Sequence, residues 1–234
     1  MPVFIKFALS RCCRWFVLRL TPNHDRGFMR GTLLLLLALP SLASAQRTVE
    51  GNRIISKAFP AAVLEIAEGM TYAGTQSFDL YNVANAEQHF FVDREGDRVK
   101  RFLWIQFEGY KPDNSSSYNY KDPVLHHSGQ RWHWRVGPFH VPEAEARPES
   151  DGARARAFLK AKGWQLGPDV AMERLVWIVD LPARNELMVI YMEDLADHGL
   201  TAADLRVGGK AYDRWGAFAS AFQQRALASF KVTQ

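Results

Sequence analysis

The segments "ERLVWIVD" (173–180) and "NELMVIYMED" (185–194) carry large apolar side chains through their centres, and this limits the fold more than any other feature. Alternate side chains of a strand point to opposite faces. Leu175, Trp177 and Val179 therefore oppose Val176 and Ile178, and Leu187, Val189 and Tyr191 oppose Met188, Ile190 and Met192. Neither face of either run is polar, so a sheet built from them needs a cover on both sides. The runs are short enough to fit buried helix as well, but the turn-like "LPAR" between them favours a hairpin.

A second hairpin is expected from "EQHFFVD" and "RVKRFLWIQFE" around the polar loop "REGD", where Gly96 can take a positive φ. Its second strand sends Leu103, Ile105 and Phe107 one way and Phe102, Trp104, Gln106 and Glu108 the other. Upstream, 46–60 reads as a leader ending at Pro60, followed by short strands in "AVLEIAEGMTYAG" and "QSFDLYNV" divided by Gly69 and Gly74. "GYKPDNSSSYNYKDP" is a loop by composition and carries Tyr110, Tyr118 and Tyr120. Ser150 or Asp151 can cap a short helix running to about Lys162, with Gly163 just past its end. At the C-terminal end Trp215, Phe218, Phe222, Ala226 and Phe230 recur at helical spacing. The expected class is α+β: an antiparallel sheet, open or curled towards a barrel, with the C-terminal helix packed on one face. One long and one short helix are too little for two covers, so a second sheet, a barrel interior or a ligand must supply the rest.

The front of the chain bears on destination. Met29 to Thr32, the apolar Leu33 to Leu39 and then Pro40 to Ala45 have the basic start, short apolar run and small-residue end of a secretory signal, with cleavage expected after Ala45. The run is shorter than the roughly 20 apolar residues of a spanning helix, so no stable membrane insertion is expected after cleavage. Translation from Met29 and a long leading segment from Met1 both fit. Residues 1–45 are then an extension plus signal, and 46–234 one exported domain, periplasmic or extracellular, long enough to bury a core.

That cut changes the composition. It removes six of the 29 basic residues and one of the 25 acidic ones, leaving 23 against 24, a formal charge of −1 where the whole chain has +4. The basic balance that would suit nucleic acid disappears, and no nucleic-acid partner is expected. Cys12 and Cys13 are lost together, which excludes disulfide, thiol-nucleophile and zinc–thiolate chemistry from an exported 46–234 domain.

Four of the seven histidines fall in "LHHSGQRWHWRVGPFH" (125–140). As a strand, this places Arg131, His133 and Arg135 on one face and Trp132, Trp134 and Val136 on the other. Two arginines beside His133 repel a cation, so no metal is expected. Their forks suit a carboxylate or other anion instead. Glu108, at a strand end beside Gly109 and Tyr110, has the setting of a carboxyl whose pKa burial could raise. No nucleophile elbow, P-loop or dinucleotide fingerprint occurs, and no cofactor is expected.

These residues favour a non-enzymatic domain that binds a small amphipathic or anionic ligand in an aromatic-lined recess, with Arg131, His133, Arg135, Trp104 and Tyr110 as contacts. Two other readings stand beside it. One is an envelope hydrolase using Glu108 with a histidine such as His133. The other is a surface or assembly protein whose aromatic loop "SSSYNY" meets a partner. Oligomeric state is left open.

Overall fold

A computed structural model describes residues 46–142 and 147–234; the signal-like segment, its cleavage point after Ala45 and both cysteines lie outside the described residues. The architecture is α+β, with two antiparallel sheets. The smaller has the order β1 (Arg47–Glu50), β2 (Arg53–Ser56), β3 (Ala62–Ile66), β12 (Phe230–Thr233). The larger runs β4 (Thr71–Leu80), β5 (Ala84–Glu95), β6 (Arg98–Tyr110), β11 (Asn185–Asp194), β10 (Asp169–Ile178), β8 (Gln130–His140), β7 (Val124–His127). Short β9 (Gln165–Leu166) adds in parallel to β6. The sheet stays open, with β4 and β7 as its edges, so the barrel alternative is not realised. No helix among the described residues is long and apolar enough to cross a membrane.

Both doubly apolar runs are strands and pair as a hairpin from Val170↔Asp194 to Ile178↔Glu186. Each face has its own core. On one, Leu103, Ile105, Trp132, Leu175, Trp177 and Val189 pack against Ile54, Leu64 and Phe230 of the small sheet and Phe222 of α3 (Trp215–Ala228), which follows the four-residue α2 (Ala202–Leu205). Trp132 is central, with ring centroids 6.1 Å from Trp177 and 5.5 Å from Phe230, and its Nε1 donates to the His127 carbonyl at 3.0 Å. Glu193 fixes α3 through a bidentate pair with Arg225, 2.8 Å on both oxygens.

The other face is covered by α1 (Asp151–Ala161), whose Ala155 and Leu159 are buried against Phe90, Phe102 and Trp104. The Ser150 hydroxyl accepts from Ala153 N at 3.1 Å as its N-cap, and Gly163 follows the last turn with φ 73°. Gly74 lets the helix sit close. A Cβ there would stand 2.9 Å from the Phe158 ring, and the backbone has φ 135°.

Three expectations need correction. The 46–60 leader contains the β1–β2 hairpin, turned at Gly51-Asn52, where glycine supplies a positive φ of 58°. Gly74 does not divide two strands; β4 passes through it with a register shift between Tyr72 and Gly74. Phe230 does not close the helical stripe, because the helix ends at Ala228 and Phe230 opens β12 against Ile66 of β3. The second cover is therefore the small sheet together with α3.

Trp132→Ala should lower the unfolding free energy by about 3–5 kcal/mol, the usual cost of emptying a buried aromatic site. Leu181→Ser, at the exposed tip between β10 and β11, should change it by less than about 0.5 kcal/mol. Urea titrations of both variants test this, and a Trp132→Ala loss below about 1 kcal/mol would contradict the packing of the two sheets.

Candidate functional site

Register decides which side chains face α1. Glu108, Gln106, Trp104 and Phe102 of β6 lie opposite Glu186, Met188, Ile190 and Met192 of β11, so all eight share one face. Ile190 and Met192 are in turn opposite Arg174 and Met172 of β10, and Arg174 is opposite Arg135 of β8. Ala155 is the residue that α1 sets over the middle of this surface, and it is too small to fill the space. A cavity of about 210 Å³ remains, walled by Phe102, Trp104, Phe139, Met188 and Ile190. Asp151 and Arg174 bring polar atoms to it.

Beyond Trp104 the same face turns polar. Gln76 Nε2 donates to Gln88 Oε1 (2.6 Å), Gln88 Nε2 to Gln106 Oε1 (2.7 Å), and Gln106 Nε2 to Glu108 Oε2 (2.5 Å). Gln106 Oε1 also accepts from the Trp104 indole at 3.1 Å. Tyr118 donates to Glu108 Oε1 at 2.8 Å, and Tyr120 to Glu186 Oε2 at 2.7 Å. Stacked tyrosines, Tyr110 on Tyr118 at 4.5 Å and Tyr118 near Tyr120 at 6.3 Å, roof the pair.

Cross-strand neighbours on one face lie about 5 Å apart at Cβ, which puts two carboxyls in one small volume. Burial raises the Glu108 carboxyl. Burial, then the charge of Glu108, pushes Glu186 up to about 8. Burial also raises Asp151. Burial and the neighbouring carboxyl therefore both favour the protonated form of Glu186 at neutral pH. Asp122 behaves oppositely: burial opposes its charge, but hydrogen bonds and charges from Arg135 and Arg174, both 2.8 Å or closer, hold its carboxyl low.

The residues singled out from the sequence fall in different places. Trp104 lines the cavity. Glu108 lies behind that wall, and its titrating neighbour is Glu186, with no histidine bonded to it. Arg131, His133 and Arg135 do share the expected face, but Arg131 and Arg135 are exposed at its margin. Arg135 is taken up by Asp122, and the His133 ring lies 5.7 Å from Tyr120. Tyr110 sits on the roof, against Tyr118. The other histidines are spread out: His127 bonds the Phe230 carbonyl and His140 pairs with Asp169 at 2.9 Å. Among the described residues no three His, Cys, Asp or Glu side chains converge as a metal site would require.

Sequence reading places Glu186, like Asp180, Glu193 and Asp194, at a strand end without pairing it to Glu108, and gives no site role to Arg174 or Asp151. Glu186 was legible in principle, because pairing the two hairpins through β6 and β11 sets it opposite Glu108. Arg174 is marked only by being the one cation of its strand. Asp151 stood out solely as a helix start. Comparison with family models, with curated proteins and with solved structures finds no match.

Glu186 has a folded pKa above its ordinary 4.5, at about 8, so its stabilising contribution is complete below pH 4.5 and is lost as pH rises through about 8. Unfolding free energy should fall over that window. Glu186→Gln, which keeps an acceptor for Tyr120, should flatten the fall by on the order of 2 kcal/mol. Chemical denaturation at pH 5 and pH 8.5 reads this, and equal slopes in both proteins would refute the assignment.

Proposed function

We propose that this is an exported binding protein that holds a small, largely apolar molecule between its large sheet and α1, without transforming it. The observation that supports the reading is the cavity itself: about 210 Å³, walled by Trp104, Phe102, Phe139, Met188 and Ile190, with Asp151 and Arg174 at its edge. An apolar void of about 150 Å³ is enough to take up benzene, whereas drug-sized sites run to about 300–1,000 Å³. A single ring or a short chain bearing one polar group is the size that fits. Methionine flanks suit such an occupant, because the flexible thioether adapts to irregular shapes. Export rests on the signal-like segment ending at Ala45.

The hydrolase reading has less behind it. Two carboxyls sharing a proton are a common device of acid–base catalysis. Here, however, each of the pair has an oxygen engaged by a tyrosine hydroxyl, Glu108 has its second engaged by Gln106, and Glu186 is 2% exposed, so the acid with the more raised pKa is closed to a substrate. The assembly reading also weakens, since Tyr118 and Tyr120 of "SSSYNY" turn inward to this pair.

Native mass spectrometry of the protein purified after export should reveal a bound small molecule in a 1:1 complex. Ala155→Phe, which fills the cavity from the helix side, should abolish retention; Met188→Trp does the same from the sheet side. Retention unchanged in both folded variants would overturn the assignment.

A further inference from the structure

Of the four edge strands among the described residues, β1, β7 and β12 have four residues each, whereas β4 has ten. From Thr71 to Phe78 it carries neither a charge nor a proline, the residues that usually close an edge to further pairing. β5 takes one side of its backbone, and among the described residues no other backbone group bonds to 71–79. Alternate residues of β4 therefore turn N–H and C=O outward. Gln76, whose Nε2 donates inward to Gln88, ends the buried amide chain at this edge.

Helix α1 flanks the open edge. Arg154, Phe158 and Lys162 recur every four residues on its side towards β4. The Arg154 guanidinium lies 4.5 Å from the centre of the Phe78 ring, and a Cβ on Gly74 would lie 2.9 Å from Phe158 and 3.9 Å from Lys162 Cε. Neither cation is spent. Arg154 Nε is buried without a hydrogen-bond partner. Lys162 lies over the Phe158 and Trp164 rings, at 5.1 and 5.5 Å, and pairs with no carboxylate among the described residues. Nearby acids are committed elsewhere: Asp79 pairs with Lys111 and Glu87 with Arg47, both on the opposite face of the sheet, and Glu149 stands beside Arg147 and Tyr81 past the end of the strand.

We propose that the β4 edge and this flank of α1 form a docking groove for an extended acidic peptide segment of a partner protein, which joins the large sheet as a further strand. Main-chain bonds to β4 supply the pairing, and the two cations supply the choice of sequence. Phe78, Gln76 and Gly74 share the α1 face at two-residue steps. An added strand therefore presents residues i and i+4 to Arg154 and Lys162, and residue i+2 to Gln76. Carboxylates at i and i+4 answer the cations, and an amide at i+2 extends the glutamine chain. A second copy of this chain fits less well. A two-fold axis at Gln76 would bring Arg154 of one copy towards Lys162 of the other, like charges with no acid between them.

Titration calorimetry at low salt, on protein purified from cells expressing the full chain, tests this with acetylated and amidated Thr-Glu-Thr-Gln-Thr-Glu-Thr. The peptide with lysine in place of both glutamates should bind at least tenfold more weakly. So should one methylated at its amide nitrogens, which keeps the charges but cannot join a ladder. In Arg154→Gln/Lys162→Gln, with circular dichroism unchanged, the glutamate peptide should bind no better than the lysine one. Equal binding of the lysine or methylated peptide, a preference that survives the double replacement, or no binding of the glutamate peptide at millimolar concentration would overturn the proposal. A dimer in sedimentation that Ser77→Lys dissociates would overturn it too, by assigning the edge to a second copy.

Discussion

A sheet that is apolar on both faces cannot be left with one cover, and most of this structure follows from how its two covers are found. Burying such surface contributes about 25 cal/mol for each Å² removed from water, so an uncovered face would forfeit much of the folding free energy. One face is closed by a four-stranded sheet and a 14-residue helix, which interdigitate with it around Trp132 and Phe222. The opposite face has only α1, of 11 residues, which at 1.5 Å per residue spans roughly 16 Å. β6 alone has 13 residues and extends about 43 Å at 3.3 Å per residue. A helix of that length cannot close the face. The remainder is left to the tyrosine-bearing loop at one end and to an unfilled cavity beneath Ala155.

The polar cluster obeys the same limit. Where α1 starts, the apolar surface gives out and a chain of amides, Gln76, Gln88 and Gln106, crosses three strands to reach Glu108. Each buried amide finds a partner, which is what makes burial tolerable. Gln88 Nε2 also donates to the Asp151 carbonyl at 3.2 Å, tying the start of the helix to the sheet. The two carboxyls at the end of the chain are bonded by the roof tyrosines, Glu186 fully buried and Glu108 partly so, and their proton affinity rises because burial penalises the charged form. A second buried acid on the opposite face, Glu173, follows the same rule: burial pushes it up to about 7, and Gln223 of α3 donates to it at 2.9 Å. Glu173 and Glu186 thus favour their neutral form, whereas Asp122 and Glu193, each bonded to arginine, are held low.

The central strands, the helix at Ser150 and the division of 131–136 into an arginine face and a tryptophan face were legible because alternation and capping are local. The small sheet was not. Its strands have four or five residues each, and "RTVE" or "RIIS" is too short to show a period; their partner Phe230 comes from the far end of the chain. The signal that could have helped was the Gly51-Asn52 turn. For the site, Glu108 and Trp104 were visible as strand-end and strand-face residues. Glu186 and Arg174 acquire meaning only from register and from where α1 comes to rest, neither of which is written in the spacing of one segment.

Counting cations along a strand also overstates what they can bind. Arg135 and Arg174 both lie on the same face of the sheet, yet Asp122, from a loop more than ten residues away, accepts from both and, held in its charged form, offsets one of their two charges. Double-wide arginine patches on sheets invite this answer, since a single carboxylate has lone pairs for two forks. Arg174 additionally lies over the Tyr120 ring at 5.2 Å, which spreads its charge onto the roof of the carboxyl pair.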